Sequence, residues 1–200
     1  MSLEVLNTAG TLLTAAVIAT TAIAAIIQLR HMRTGNQIAA MLSIGENFSR
    51  DEFKQAEQLV VHKLGPAMSD PAFRRYVVAF VRDPSPAEVE PHFVKVRQAA
   101  ILIGNTYEEL GILVKTGIVD AELFLDRYCA VINRSWNRLA DFTALARESN
   151  DDPGIWENFE YVTVLSQDWM KKFASSYPKG MRRLEIRSQW PEAARERARA

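Results

Sequence analysis

Residues 5–29, VLNTAGTLLTAAVIATTAIAAIIQL, form an uncharged run of 25 positions near the N-terminus. A helix of about 25 residues is about 37 Å long, which exceeds the hydrocarbon thickness of a bilayer, about 30 Å. Arg30, His31 and Arg33 follow the run directly, whereas only Glu4 carries a charge before it. The run therefore predicts a single transmembrane helix, with residues 1–33 forming the anchor and its basic flank.

The charges on either side of the run predict how the chain crosses the membrane. Under the positive-inside rule, Arg30 and Arg33 stay in the cytoplasm and the N-terminus lies outside. A cleaved signal peptide is disfavoured, because no Lys or Arg precedes the run and polar helical sequence follows it directly. The lone cysteine, Cys129, fits a reducing compartment. We therefore expect a single-pass protein with a cytoplasmic body.

The same run defines the partners that we expect for the anchor. Residues 5–29 should contact the lipid bilayer, and the alternative is the buried core helix of a soluble protein or oligomer. Small residues recur at four-residue spacing, which would let two anchors pack closely as a homo-oligomer. These pairs are Ala15 with Ala19, Thr20 with Ala24, and Thr21 with Ala25.

Residues 34–178 carry apolar side chains at three- and four-residue spacing, which predicts an all-α body, a cytoplasmic bundle of about five or six helices. The first segment, residues 30–44, would extend the anchor helix, with weak points at Gly35, Asn36 and Gly45. The later boundaries follow capping and stop signals. They are a capping box at Ser49 and Glu52, a stop at Gly65 and Pro66, starts at Asp70 with Pro71 and at Pro91, a stop at Gly117, and starts at Asp120 and at Asp152 with Pro153.

The net charge of zero, from 24 basic and 24 acidic side chains, argues against a protein that holds nucleic acid by bulk electrostatics. The charge is unevenly distributed, since residues 51–178 carry −5 and residues 179–200 carry +4. We expect this C-terminal segment, the basic tail, to face the anionic inner leaflet or the acidic body. The cations of the tail that we single out are Lys179, Arg182, Arg183 and Arg187.

The sequence contains no recognisable nucleophile motif, phosphate-binding loop or set of metal ligands, so no catalytic residue, metal or cofactor is predicted. The remaining candidate is a set of carboxylates and guanidiniums on apolar helices, which we call the polar cluster. It would be either a structural ion-pair layer, which we favour, or a site that binds a small anion or nucleotide. Its members are Glu108, Glu109, Arg134, Arg138, Arg147, Glu157 and Glu160.

Five sequence motifs resemble an uncharacterised bacterial family of short, singly anchored helical proteins, known only as a domain of unknown function. They are QLRHMR at 28–33, YEELGILV at 107–114, GIVD at 117–120, SWNRL at 135–139 and WENFEY at 156–161. The resemblance covers roughly residues 12–185. It implies an all-helical, membrane-anchored protein of the bacterial inner membrane, and it brings no activity and no catalytic residues.

These observations favour a membrane-anchored scaffold, interaction or sensor module over an enzyme. The main alternative is a small-ligand-binding or hydrolytic enzyme that uses the polar cluster between helices. A weaker alternative is an effector of a stress or phage response that acts on the membrane. The enzyme alternative requires the polar cluster to converge beside a cavity.

Overall fold

The computed structural model describes residues 3–82, 89–173, 175, 177–178 and 180–185, with backbone alone at 80–82. Every regular element in this part of the chain is helical, which confirms the predicted all-α class. The body that follows the N-terminal helix contains five helical rods among the described residues, within the predicted five or six.

Helix α1 spans Leu3–Ser49 as one uninterrupted 47-residue helix, about 70 Å long at 1.5 Å per residue. It contains a window of mean hydropathy 2.2 with no buried residue, and is long and apolar enough to cross a membrane. The predicted weak points at Gly35, Asn36 and Gly45 do not interrupt it. Packing of Ile44 and Phe48 on the body holds its last turns, which offsets the cost of about 1 kcal/mol per helical glycine.

The second rod differs from its prediction at both ends. It comprises α2 (Asp51–Leu59), a π-helical turn (Val60–Leu64) and α3 (Gly65–Ser69), so Gly65 and Pro66 do not stop it. The wider π turn precedes the proline and accommodates its missing N–H. The capping box is also wrong, because the Ser49 hydroxyl donates to the Gly45 carbonyl, 2.8 Å away, and closes α1 instead.

The remaining helices are α4 (Pro71–Arg82), α5 (Pro91–Lys115), α6 (Ala121–Asn150) and α7 (Glu157–Lys172). The predicted caps at Asp70 and Asp120 are confirmed: Asp70 Oδ1 accepts from the Ala72 N–H at 2.7 Å, and Asp120 Oδ1 accepts from the Leu123 N–H at 2.9 Å. Gly117 ends the α5 segment with a φ of 71°, a left-handed conformation that glycine adopts without strain.

The predicted start of the last helix at Asp152 and Pro153 is wrong by about one turn. Asp152 Oδ1 accepts from the Gly154 N–H at 2.8 Å, so its carboxylate stabilises a turn rather than a helix. Helix α7 begins at Glu157 after Trp156, whose φ of 56° is left-handed. The indole of Trp156 is buried, and its packing imposes this backbone conformation on a residue that disfavours it.

The core lies where α7 packs against α5 and α6. Its centre is formed by Phe73, Tyr107, Phe124 and Phe159, each at most 1% exposed. Trp156 is buried, and Trp136 and Trp169 are partly buried and pack against the core, whereas Trp190 lies outside the described residues. Cys129 is partly buried and packs as a small apolar side chain.

Helix α1 joins this core only through its last turns. Its ring Phe48 lies 5.0 Å from Phe53, 5.8 Å from Tyr107 and 5.2 Å from Tyr128, measured between ring centroids. Ile44, one turn earlier, is 3% exposed. The apolar N-terminal part of α1 therefore projects from the body and is not buried by any part of it that the structure describes.

Candidate functional site

The polar side chains that the structure brings together lie at the junction of α5 and the N-terminus of α7. Glu108 on α5 accepts three hydrogen bonds: Oε2 from the N–H groups of Asn158 and Phe159, at 3.0 and 2.9 Å, and Oε1 from the Asn158 amide at 2.6 Å. The first N–H groups of a helix lack partners within it and favour negative charge. Glu108 is therefore the N-terminal cap of α7, supplied by another helix.

Two glycines on α5 allow this close approach. An ideal Cβ on Gly104 would overlap the indole of Trp156, and one on Gly111 would overlap the backbone carbonyl of Asn158. The two positions are seven residues apart and lie on the same face of α5. Without them, α7 could not come near enough for its N–H groups to reach Glu108.

Two side-chain hydrogen bonds hold the junction in register. The indole N–H of Trp156 donates to Asn105 Oδ1 at 2.9 Å, and Lys115 Nζ donates to Asn158 Oδ1 at 3.1 Å. Asn158 thereby contacts both Glu108 and Lys115. The N-terminal turn of α7 is thus attached to α5 at three positions, Asn105, Glu108 and Lys115, which span about three turns.

A second charged pair ties α7 to α6. Arg147 Nη2 lies 2.7 Å from Glu160 Oε2, and Arg147 Nε donates to the Ile155 carbonyl at 2.9 Å. Its guanidinium also lies over the Trp136 ring, 6.0 Å from the centroid. This pair is partly buried and connects the α6–α7 loop to both helices. The two charges therefore stabilise the fold.

Tyr107 lies beneath the junction and is the most perturbed titratable group described. Its ring stacks on Phe159 at 4.8 Å, and its hydroxyl oxygen accepts from the Ser135 hydroxyl at 3.2 Å. Burial raises the pKa of Tyr107 to about 12, and this effect exceeds the opposing one of the Ser135 hydrogen bond. The phenol is therefore neutral at ordinary pH and serves as a core residue.

The raised pKa of Tyr107 predicts how stability changes with pH. The folded state favours the neutral phenol, so its stabilising contribution is complete below pH 10 and is lost as pH rises towards 12. Urea unfolding between pH 9 and 12 should show a steeper loss in the wild type than in Tyr107→Phe, which cannot ionise. Equal slopes for the two proteins would contradict the assignment.

The other members of the polar cluster lie away from the junction contacts. Glu157 is exposed at the first residue of α7, and Arg134 and Arg138 are exposed on α6. Glu109 is exposed and lines a different surface cavity. The structure therefore gathers Glu108, Arg147 and Glu160 around the start of α7 and leaves the other four at the surface.

The flanking cations are also exposed. Arg30, His31 and Arg33 lie on α1 between its apolar part and the body. In the basic tail, Arg183 donates to the Ser175 hydroxyl at 2.7 Å and lies 4.8 Å from the centroid of the Tyr177 ring, and the Tyr177 hydroxyl donates to the Arg182 carbonyl at 2.8 Å. Lys179 and Arg187 lie outside the described residues.

A wide groove lies between the second rod and α5. It contains adjoining cavities of about 890, 520 and 420 Å³. Apolar residues such as Phe53 and Leu102 form its floor, and Arg50, Glu52 and Glu109 lie along one end. No carboxylate that lines the groove caps α7, but the groove adjoins the junction at Asn105, which accepts from the Trp156 indole.

Sequence reasoning recognised Glu108 as part of a charged layer but missed the residues that make the junction. Gly104, Gly111, Asn105 and Asn158 were not singled out, although two glycines seven apart within an apolar helix are a readable signal of close packing. The left-handed Trp156 has no such signal, because only its packing produces it.

Comparison with known proteins bears on the whole chain rather than on this junction. No curated protein and no solved structure matches the sequence. A family model, the domain of unknown function DUF4760, matches residues 15–165, about three quarters of the chain. That match includes residues 15–29 of the apolar run, the α5–α7 junction and the first nine residues of α7. The chain therefore belongs to the DUF4760 family, as the resemblance of its motifs predicted.

Proposed function

We propose that this protein is a non-catalytic interaction module of the bacterial inner membrane, in which α1 anchors a cytoplasmic helical body to the bilayer. The observation that carries the proposal is the apolar part of α1. It is long enough to span, none of its most apolar window is buried, and it projects from the body. Exposed Leu and Ile side chains on such a scale are unfavourable in water and favourable in lipid.

The orientation follows from the charges at the two ends of the span. Arg30 and Arg33 lie on the side of the body, and Glu4 lies on the opposite side. Positively charged flanks are retained in the cytoplasm, so the body belongs on that side. Residues 30–36 of α1 are exposed and would hold the body about 10 Å from the bilayer surface.

The use of the charged side chains supports a binding role rather than a catalytic one. A general base needs a lone pair directed at a substrate, whereas both Glu108 oxygens accept from α7. Arg147 and Glu160 pair with each other. The charged residues on which the enzyme alternative depends, Glu108, Arg147 and Glu160, thus stabilise a helix end and a loop. The surfaces that remain for a partner are the groove and the exposed helix faces.

We expect Ile18→Arg to remove the full-length protein from the membrane. A guanidinium near the centre of a spanning helix costs about 3 kcal/mol for insertion. The measurement is the fraction of protein that stays in the membrane pellet after washing at high pH, and it should fall severalfold. The matched control is Ser43→Arg, an exposed position on the same helix beyond the apolar run, which should fractionate as the wild type does.

The orientation is read in the same cells by cysteine labelling in a Cys129→Ala background. A membrane-impermeant maleimide should label Glu4→Cys in intact cells and should label Lys54→Cys only after the cells are opened. The reverse pattern would overturn the proposed orientation. Wild-type protein that washes off the membrane would overturn the anchor itself.

A further inference from the structure

The cytoplasmic stretch of α1 carries an apolar face that the body leaves uncovered. Ile38 is 54% exposed and Leu42 is 65% exposed, although both lie beyond the run that would be shielded by lipid. At 100° per residue, Leu42 lies about 160° and Ile38 about 120° round the helix from Ile44, the centre of the docked face. The body therefore covers one side of α1, and these two residues lie on the other.

The same face continues through the apolar run with a seven-residue repeat. Because α1 is unbroken, positions seven apart drift round it by only about 20° per repeat, and a shallow left-handed supercoil of two helices keeps such positions in contact along the length of the pair. Two sets of positions, one repeating every seven residues from Asn7 and one from Gly10, lie side by side on this face. We call them together the α1 seam. The seam comprises Asn7, Thr14, Thr21, Gln28, Gly35 and Leu42, and Gly10, Val17, Ala24, His31 and Ile38. It ends there because the next position, Gly45, faces Tyr128 on the body.

The composition of the α1 seam differs from that of the rest of the run. None of the eight Leu and Ile side chains in residues 5–29 lies on it, and they are left to face lipid. The Thr14 and Thr21 hydroxyls donate to backbone carbonyls of α1, at 2.9 and 2.8 Å, so they need no other partner. The seam is therefore a shallow surface along which a second helix backbone can approach closely.

Asn7 and Gln28, near the two ends of the run, show what kind of helix would fit. Both are exposed, and a carboxamide exposed to lipid is unfavourable unless it finds a hydrogen-bond partner. A carboxamide has both a donor and an acceptor, so it can pair with its own copy. A parallel second α1 places Asn7 opposite Asn7 and Gln28 opposite Gln28, and such polar pairs fix the register of two helices.

The dimensions are sufficient for a stable contact. The α1 seam from Asn7 to Leu42 is about 53 Å long, and a face about 10 Å wide covers about 500 Å² on each copy. The total of about 1,000 Å² reaches the lower limit for a specific interface. Two copies inserted in the same orientation are necessarily parallel, and the docked bodies lie on the outer sides of the pair.

We propose that the α1 seam binds a second copy of this chain, forming a parallel dimer that extends from the membrane to Leu42. The proposal rests on the membrane insertion proposed above, since the bilayer aligns the two helices. It differs from the four-residue spacings in the sequence, because the pairs Ala15 with Ala19 and Thr20 with Ala24 do not lie along one continuous face.

The test is disulfide cross-linking of the full-length protein in membranes, in a Cys129→Ala background. Ile38→Cys and Leu42→Cys lie on the α1 seam. The matched controls are Asn36→Cys and Ser43→Cys, which are exposed at the same depth but lie at least 100° away from both seam residues. After mild oxidation, the seam variants should yield at least ten times more dimer than the controls on a non-reducing gel.

Two further measurements distinguish a second copy of this chain from a different partner, and failure of the dimer from failure of the anchor. Co-expression of copies with two different tags should give a cross-linked product that contains both tags, and a product with a different protein in its place would overturn the proposal. Equal or absent cross-linking at all four positions would also overturn it. The membrane pellet is assayed in the same samples. Loss of the protein from the membrane would contradict the proposed anchor. Retention in the membrane without cross-linking specific to the seam would contradict the dimer alone.

Discussion

Gly111→Ala should lower the free energy of unfolding of the body by about 2 kcal/mol. The added methyl overlaps the backbone carbonyl of Asn158, which cannot rotate aside as a side chain could. Overpacking of this kind costs about 1–3 kcal/mol or more, and the better helix propensity of alanine returns only about 1 kcal/mol. The start of α7 would have to move away from α5, which also weakens the Glu108 cap.

The measurement is urea unfolding followed by circular dichroism. Gly45→Ala is the matched control, because it lies inside the uninterrupted helix α1 and a Cβ there meets only the Tyr128 hydroxyl at 3.9 Å, an ordinary contact. The control should be neutral or more stable by up to about 1 kcal/mol. If both variants shift the midpoint in the same direction and by the same amount, the close approach of α5 and α7 is not the cause.

Glu108→Ala should cost about 3 kcal/mol, the other large effect that we expect. The change removes a charged acceptor and leaves the Asn158 and Phe159 N–H groups without their partner in a partly buried site. Each hydrogen bond to a charged group contributes roughly 1.5–3 kcal/mol, and solvent access reduces the total. A domain of ordinary stability, about 5–15 kcal/mol, would lose a substantial share.

The adjacent Glu109 is a close control, because it has the same chemistry and is exposed. Glu109→Ala should change stability by less than about 0.5 kcal/mol. Glu108→Gln should fall between the two, since it keeps one oxygen acceptor and loses the charge. Hydrogen exchange should show faster exchange in the first turn of α7 for Glu108→Ala only. Equal stability of the two alanine variants would contradict the capping role.

Local signals predicted those parts of the fold that local chemistry determines. The caps at Asp70 and Asp120 and the stop at Gly117 depend on groups within a few residues, and each is present. The errors occur where distant packing prevails over local preference. The π turn before Pro66 and the left-handed Trp156 are stabilised by contacts that no sequence window contains.

The candidate site was predictable in kind but not in geometry. Charge on apolar helices indicated that Glu108, Arg147 and Glu160 would need partners, and the structure supplies them. The partner of Glu108 is the backbone of α7, 50 residues away, which requires the relative position of two helices. That position depends on Gly104 and Gly111, whose spacing signals a close approach on α5 but does not say which helix makes it.

Because α1 is one uninterrupted helix, a change in the tilt of its N-terminal part also moves its C-terminal end. From Arg30 to Phe48 the helix is about 27 Å long, with no hinge at Gly35 or Gly45. A spanning helix adjusts its tilt to the thickness of the bilayer. A change of about 10° would displace Phe48 by about 5 Å, on the scale of one helical turn. Since Phe48 packs against Tyr107, which stacks on Phe159, the body would move with the end of the helix, and a change in bilayer thickness would become a displacement of the whole body.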